Sequence, residues 1–237
     1  MKKIFVLVML FSAFSVSAQT ISSIQELTVK GWDRDAYLAL HDEYYGKVTF
    51  KEGSGVVIER IRMSDGSQNM RLRNYGVMND WGVASERGAF EERAFWRGLA
   101  DQVSENGPFY ASKGVFAQGG NLKYKITQVF EFKAKDPQAY LNALKIWLDE
   151  NKDIILDRRV SLQAYTVAGP NGASHSLSIE AENWVELEKL REVLMSNTKS
   201  IQKFYQTRGE ATETRNFTAE RLRHYSNLRI KSGTTKD

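Results

Sequence analysis

The sequence predicts an α+β protein that contains two similar units, each with the order strand, helix, strand, strand, helix, strand. The first supporting observation is a repeat at an offset of 103 residues, in which Gln25, Lys30, Asp33, Ala36, Tyr37 and Leu38 recur as Gln128, Lys133, Asp136, Ala139, Tyr140 and Leu141. The second is that apolar residues follow strand and helix periods in the same order in both copies. The third is length: without the first 18 of its 237 residues the chain still provides two domains of about 100 residues, each able to bury a core.

The N-terminal segment has the pattern of a secretory signal. Lys2 and Lys3 precede an apolar run from Ile4 to Phe14, and small residues ending in Val16-Ser17-Ala18 follow. The apolar run is shorter than the roughly 18 residues that a membrane span requires. We therefore expect cleavage after Ala18 and an exported protein, periplasmic or extracellular, without a membrane span.

Charge and cysteine content exclude several classes of function. The formal net charge is +4, and Lys2 and Lys3 supply two of those charges, so the mature chain is close to neutral and shows no basic signature of a nucleic-acid-binding protein. The chain has no cysteine, which removes disulfides, thiol nucleophiles and cysteine metal ligands. Its three histidines lack the spacing of a metal site. We predict no metal and no cofactor.

The second unit, residues 121–230, shows the element order most clearly. Lys125 to Lys133 alternates apolar and polar side chains, as a strand does. Asp136 and Pro137 then predict an N-cap and the first helical position. The remaining predicted elements are strands over 160–167 and 174–179, a long helix that begins after Asn183, a strand over 211–217 and a short terminal helix over 218–228.

The first unit, residues 19–120, repeats this order less regularly. Asp33 is the predicted N-cap of its first helix, and Gly119-Gly120-Asn121 predicts the boundary between the units. Its predicted strands cover 24–30, 56–63, 69–75 and 109–116, and its second helix covers 90–103. Residues 231–237 are polar and predict a disordered tail.

A strand–helix–strand–strand–helix–strand unit is the ferredoxin-like motif. Two such units in one exported chain resemble the dimeric α/β-barrel superfamily, in which a pair of units joins its sheets into one barrel with the helices outside. The resemblance implies an intramolecular barrel and, because the fused pair satisfies the interface of single-unit relatives, a monomer. Separate, side-by-side ferredoxin-like domains are the alternative. The superfamily includes cofactor-free monooxygenases, haem enzymes and proteins without known chemistry, and no catalytic motif of those groups is matched here.

The predicted binding site lies on the two hairpins. Strand alternation places Arg60 and Arg62 on one face of the first strand of this unit's hairpin, and Arg71, Arg73 and Tyr75 on one face of the second strand. We therefore expect the four arginines on one side of the sheet. The second hairpin has a polar face that includes Gln163 and Tyr165. If these faces line the barrel, the arginines suit a carboxylate, phosphate or sulfate group. The alternative is that the face is solvated, or that the arginines pair with Glu59, Glu91, Glu92 or similar neighbours.

His41 is the candidate catalytic residue, because it occupies the helical position that Leu144 holds in the other copy. An imidazole there suits a general base, a metal ligand or a haem ligand. The alternative is a hydrogen-bonded core histidine beside Tyr37, Tyr44 and Tyr45.

These observations predict a protein that binds a small anionic or amphipathic organic molecule. Two other functions remain open: an oxygenase-like or haem-handling enzyme that uses the barrel interior and His41, and a structural or partner-binding protein with an inert interior. Whether the protein is an enzyme is not decided by the sequence.

Overall fold

The fold is described by a computed structural model for residues 20–64, 66–167 and 169–227. The predicted signal (1–18) and tail (231–237) lie outside the described residues. The first unit contains β1 Thr20–Val29, α1 Arg34–Tyr45, β2 Gly55–Arg62, β3 Met70–Val77, α2 Ala89–Gln102 and β4 Val103–Gln118. The second contains β5 Ile126–Ala134, α3 Pro137–Glu150, α4 Lys152–Ile155, β6 Val160–Val167, β7 His175–Ala181, α5 Trp184–Ser196, α6 Thr198–Thr207 and β8 Ala211–Ser226.

All eight strands form one closed barrel in the order β1-β3-β2-β8-β5-β7-β6-β4. Each unit contributes a four-stranded antiparallel sheet, β4-β1-β3-β2 or β8-β5-β7-β6. The two sheets join where β2 pairs with β8 and where β4 pairs with β6. The predicted intramolecular barrel of two ferredoxin-like units is therefore confirmed, and the alternative of separate domains is wrong.

Two predicted helices differ from the structure. The terminal helix predicted over 218–228 is wrong, because β8 continues as a strand to Ser226. The first part of β8 pairs with β5 and the later part pairs with β2, so this strand holds the two units together. The long helix predicted after Asn183 is divided at Asn197, whose φ of −80° and ψ of 63° are not helical.

The helices cover the outside of the barrel. In the first unit, Val56, Ile58, Met70 and Leu72 point outward and pack against α1 and α2. In the second unit, Phe132, Val160 and Leu162 pack against the helices in the same way. Because successive side chains of a strand alternate between its faces, the residues between these apolar ones line the barrel interior.

Candidate functional site

The barrel interior contains a buried network of charged side chains. Arg71 Nε donates a hydrogen bond of 2.8 Å to Glu59 Oε2, and Arg73 lies 3.7 Å from the other oxygen of Glu59. Burial acts to raise the pKa of Glu59, but the two arginines outweigh it and hold the pKa below its ordinary value. Glu59 is therefore a carboxylate that is fully committed to protein partners.

A second part of the network joins the two units. Arg215 of β8 donates two hydrogen bonds to Glu26 of β1, at 3.0 and 2.6 Å. Tyr110 donates to the same carboxylate at 2.6 Å, and Tyr165 donates to Glu131 at 2.7 Å. Burial raises the pKa of Glu131, and Arg215, whose Nε lies 3.4 Å away, opposes that rise. These contacts connect strands of both units across the barrel.

The structure separates the four arginines that the sequence predicts on one face. Arg71 and Arg73 point into the barrel, whereas Arg60 and Arg62 lie on the outward face of β2. In the register of the first hairpin, Glu59 is opposite Arg71 and Arg60 is opposite Met70. A shift of one residue in register moves a whole set of side chains to the other face, and periodicity alone does not reveal that shift. The predicted four-arginine face is therefore wrong, and the alternative pairing with Glu59 is present for Arg71 and Arg73.

The other predicted binding residues point into the barrel and have protein partners there. Tyr75 Oη lies 2.6 Å from His224 Nε2, and Gln163 accepts a hydrogen bond of 2.7 Å from Ser112. Tyr165 is bound to Glu131, as described above. The interior thus brings together Arg71, Arg73, Tyr75, Gln163 and Tyr165 in a network in which they bind other side chains of this protein.

His41 is a buried core residue of the first unit, outside the barrel. Its Nδ1 lies 2.8 Å from the carbonyl oxygen of Tyr37, and the rings of Tyr37 and Phe95 are 4.4 and 5.3 Å from its centroid. Burial lowers its pKa to about 4, against the opposing effects of the Tyr37 carbonyl and Asp42. The imidazole is therefore neutral at pH 7, and the alternative of a hydrogen-bonded core histidine describes its geometry.

The second unit holds a cavity of about 500 Å³ between the outer face of its sheet and helices α3, α5 and α6. Ligand cavities in proteins commonly measure roughly 300 to 1,000 Å³. Most of the lining is apolar, and it includes Phe130, Phe132, Tyr140, Leu144, Trp147, Val160, Leu177, Ile179, Leu187, Leu190, Leu194, Met195, Ile201, Phe204 and Tyr205. This part of the structure can accept a molecule with a large apolar body.

Four polar residues complete the lining, namely Gln128, Arg191, Arg208 and Glu213. The guanidinium of Arg208 lies over the Tyr205 ring, 4.3 Å from its centroid, which holds the charge beside the aromatic wall. Burial raises the pKa of Tyr140 to about 12, although Arg208 acts to lower it. Tyr140 therefore remains a neutral phenol at pH 7, and the charged groups of the lining are the two arginines and Glu213.

The equivalent space of the first unit is filled with aromatic rings. Tyr44 stacks on Phe95 with a centroid distance of 3.7 Å, and Arg87 covers Tyr44 at 3.4 Å. Tyr44 corresponds to Trp147 in the repeat, and His41 corresponds to Leu144. The apolar stripes of both helix pairs were visible in the sequence, but a stripe does not tell a filled core from a hollow one.

The structure offers haem no histidine ligand at this cavity. No histidine is among the residues that line it. His41 belongs to the other unit, His224 is bonded to Tyr75, and His175 Nδ1 lies 2.8 Å from Ser174 Oγ. Among the described residues, this cavity therefore has no histidine that could ligate haem.

Two further features concern the described part of the chain. Residues 20–64, 66–167 and 169–227 contain no group of three or more histidine, aspartate or glutamate side chains able to hold a metal ion. Over the same ranges, no helix is both long and apolar enough to cross a membrane.

The chain has the fold of the dimeric α/β-barrel superfamily. A candidate monooxygenase from Lactobacillus acidophilus NCFM superposes on it with a TM-score of 0.55 at 12% identity, covering 88% of this chain and 96% of that one. An anthrone oxidase-like protein gives 0.50 at 10% identity, covering 88% and 93%. A mutant chlorite dismutase from Candidatus Nitrospira defluvii gives 0.45 at 11%, covering 86% and 92%. No family model and no curated protein matches the sequence significantly.

Proposed function

We propose that the protein binds a small amphipathic organic molecule in the cavity of its second unit. The observation that carries this proposal is the apolar volume of about 500 Å³ between the sheet and helices α3, α5 and α6, in a protein whose first unit fills the same space. Transfer of apolar surface from water into such a site favours binding by about 25 cal/mol per Å². We place this function in the periplasm or outside the cell, where residues 1–18 would direct the protein.

The charged groups of the lining support an anionic end on this ligand. Arg208 and Arg191 both line the cavity, and Glu213 is the only acidic residue among the described lining residues. A guanidinium forms charge-assisted hydrogen bonds with carboxylate and sulfonate-type groups. The ligand is therefore an apolar body with one acidic group, bound with that group near Arg208.

Two fluorescent probes test the proposal. The first is 1-anilinonaphthalene-8-sulfonate, and the second is N-phenyl-1-naphthylamine, which has the same rings without the sulfonate. We expect both to bind. Leu190→Phe places extra atoms in the cavity and should therefore weaken the binding of both probes by about tenfold. That change corresponds to about 1.4 kcal/mol of binding free energy. Arg208→Gln should weaken only the sulfonate probe.

Val193→Phe is the matched control, because Val193 lies on the same helix but is 46% exposed and is not among the lining residues. It should leave both affinities unchanged. Equal binding by the wild type and Leu190→Phe would show that the probes bind elsewhere and would refute the proposal.

Oxidation of the bound molecule by dioxygen is the second candidate function. It is favoured by the aromatic lining of the cavity and by the fold shared with a candidate monooxygenase and an anthrone oxidase-like protein. With anthrone as substrate, an oxygen electrode should record uptake above the protein-free rate, and Leu190→Phe should lose it. Oxygen uptake at the protein-free rate would contradict oxidation of anthrone and would leave ligand binding as the proposed function.

A further inference from the structure

A second pocket lies in the first unit, where β2 ends and α1 begins. Its volume is about 240 Å³, and its lining includes Arg34 of α1 and both Arg60 and Arg62 of β2. Asn69 is also part of the lining. Two hydrogen bonds with the backbone of Val29, at 3.0 and 2.8 Å, hold its side chain in place. The pocket is separate from the apolar cavity, which belongs to the other unit.

The described residues that line this pocket include three arginines and no acidic residue. One oxygen of Glu220 serves two arginines, at 3.7 Å from Arg60 and 3.3 Å from Arg62. Arg34 has Asp35 at 3.6 Å, but the Asp35 side chain is 89% exposed and is therefore strongly screened by water. Two of the three guanidinium groups thus share the Glu220 carboxylate, and the third, that of Arg34, has the exposed Asp35 as its ion-pair partner.

Arg60 experiences this imbalance most strongly. Its side chain is only 19% exposed, and its contact with Glu220 is longer than a hydrogen bond. Burial, together with the charges of Arg62 and Arg34, lowers its pKa, although Glu220 and Asp35 oppose the change. An arginine stays protonated at pH 7 in spite of such a shift, so an anion bound among the three groups would relieve their repulsion.

We propose that Arg34, Arg60 and Arg62 form a binding site for a phosphate or sulfate group. Guanidinium groups match the tetrahedral oxyanion with paired N–H donors, and three of them supply more donors than the single carboxylate of Glu220 accepts. The pocket is open on one side, which leaves room for an organic group attached to the anion. This site does not depend on the ligand cavity of the second unit.

Isothermal titration calorimetry at low ionic strength tests the site with sodium phosphate, sodium sulfate and phenyl phosphate, and with sodium chloride as the reference salt. We expect binding of the oxyanions by the wild type. The double variant Arg60→Gln with Arg62→Gln should weaken it by about tenfold or more. Tighter binding of phenyl phosphate than of phosphate would assign the site to an ester, and the reverse would assign it to the free anion.

Glu220→Gln gives an independent prediction of opposite sign. It removes the carboxylate that competes for Arg60 and Arg62, so oxyanion affinity should rise by about threefold or more. Arg97→Gln removes one positive charge, as each substitution of the double variant does, but on the exposed face of α2; it is the control for the double variant and should have no effect. Weaker or unchanged binding by Glu220→Gln, or an equal loss in Arg97→Gln, would overturn the proposal even if the double variant fails to fold.

Discussion

At the scale of single residues, the arginines of this protein differ in how completely a carboxylate of the same protein pairs with them. Arg71 and Arg215 are buried in ion pairs with Glu59 and Glu26. Arg60 and Arg62 share one carboxylate on the outside of the barrel. Because a buried arginine can be held by a carboxylate of the same protein, residue type alone does not identify an arginine that binds a ligand.

His41 should make stability depend on pH. Its pKa is about 4 in the folded protein and 6.5 as the ordinary value, so the unfolded state binds more protons between these values. Stability therefore falls as pH drops from 6.5 to 4, by about 3 kcal/mol, and does not fall further through this group below pH 4.

His41→Leu, which copies Leu144 of the second unit, should remove that part of the pH dependence. Urea unfolding at pH 7 and pH 4.5 would measure it as the difference between wild type and variant. The same loss of stability in both proteins would contradict the assignment to His41.

At the scale of elements, the repeat predicts similar structures that differ in local detail. Asp136 caps α3 as expected, and its side chain accepts hydrogen bonds from the backbone N–H groups of Gln138 and Ala139, at 3.0 and 2.9 Å. Asp33 holds the same place before α1 but makes no capping bond, because its own backbone is helical, with φ −92° and ψ −5°. The predicted cap is therefore confirmed in one copy and wrong in the other.

Asp136→Ala should destabilise the protein by about 1 kcal/mol, the usual cost of losing an N-cap. Asp33→Ala should cost less, since no capping bond is lost. Chemical denaturation of the two variants beside the wild type gives the comparison, and equal losses would argue against a capping role for Asp136.

At the scale of the whole molecule, β8 and the interior network join the two units. β8 pairs with both β5 and β2, and the contact of Arg215 with Glu26 spans 189 positions of the chain. The helices of each unit keep separate cores, one filled with aromatic rings and one containing the apolar cavity. A common barrel thus supports two units with different contents.

Glu26→Ala should destabilise the molecule by about 3 to 5 kcal/mol, because it leaves the buried guanidinium of Arg215 with only the longer contact to Glu131. The double variant Glu26→Leu with Arg215→Met removes both charges and should lose less. Glu210→Ala, which breaks an exposed pair with Lys135, should change stability by less than about 1 kcal/mol. Urea unfolding measures all three, and a double variant less stable than Glu26→Ala would contradict this account.

Parts of the site could be found from the sequence and others could not. The polar faces of the hairpins were visible from alternation, and Arg71, Arg73, Tyr75, Gln163 and Tyr165 do point into the barrel. Glu26 and Glu131 were visible only as charges within predicted strands, since their partners are distant in the chain. The cavity had no signal of its own, because the residues around it form the same apolar stripes as a filled core.

The sequence by itself determined the two-unit plan, the order of most elements and the apolar faces of the helices, because repeat, period and capping act between residues that are near in the chain. Only the tertiary structure decided the strand register, the extension of β8 and the side of the sheet on which each arginine lies. It also decided which unit is hollow. These features depend on contacts between distant segments, and a shift of one residue or a few larger side chains changes them without altering the local pattern.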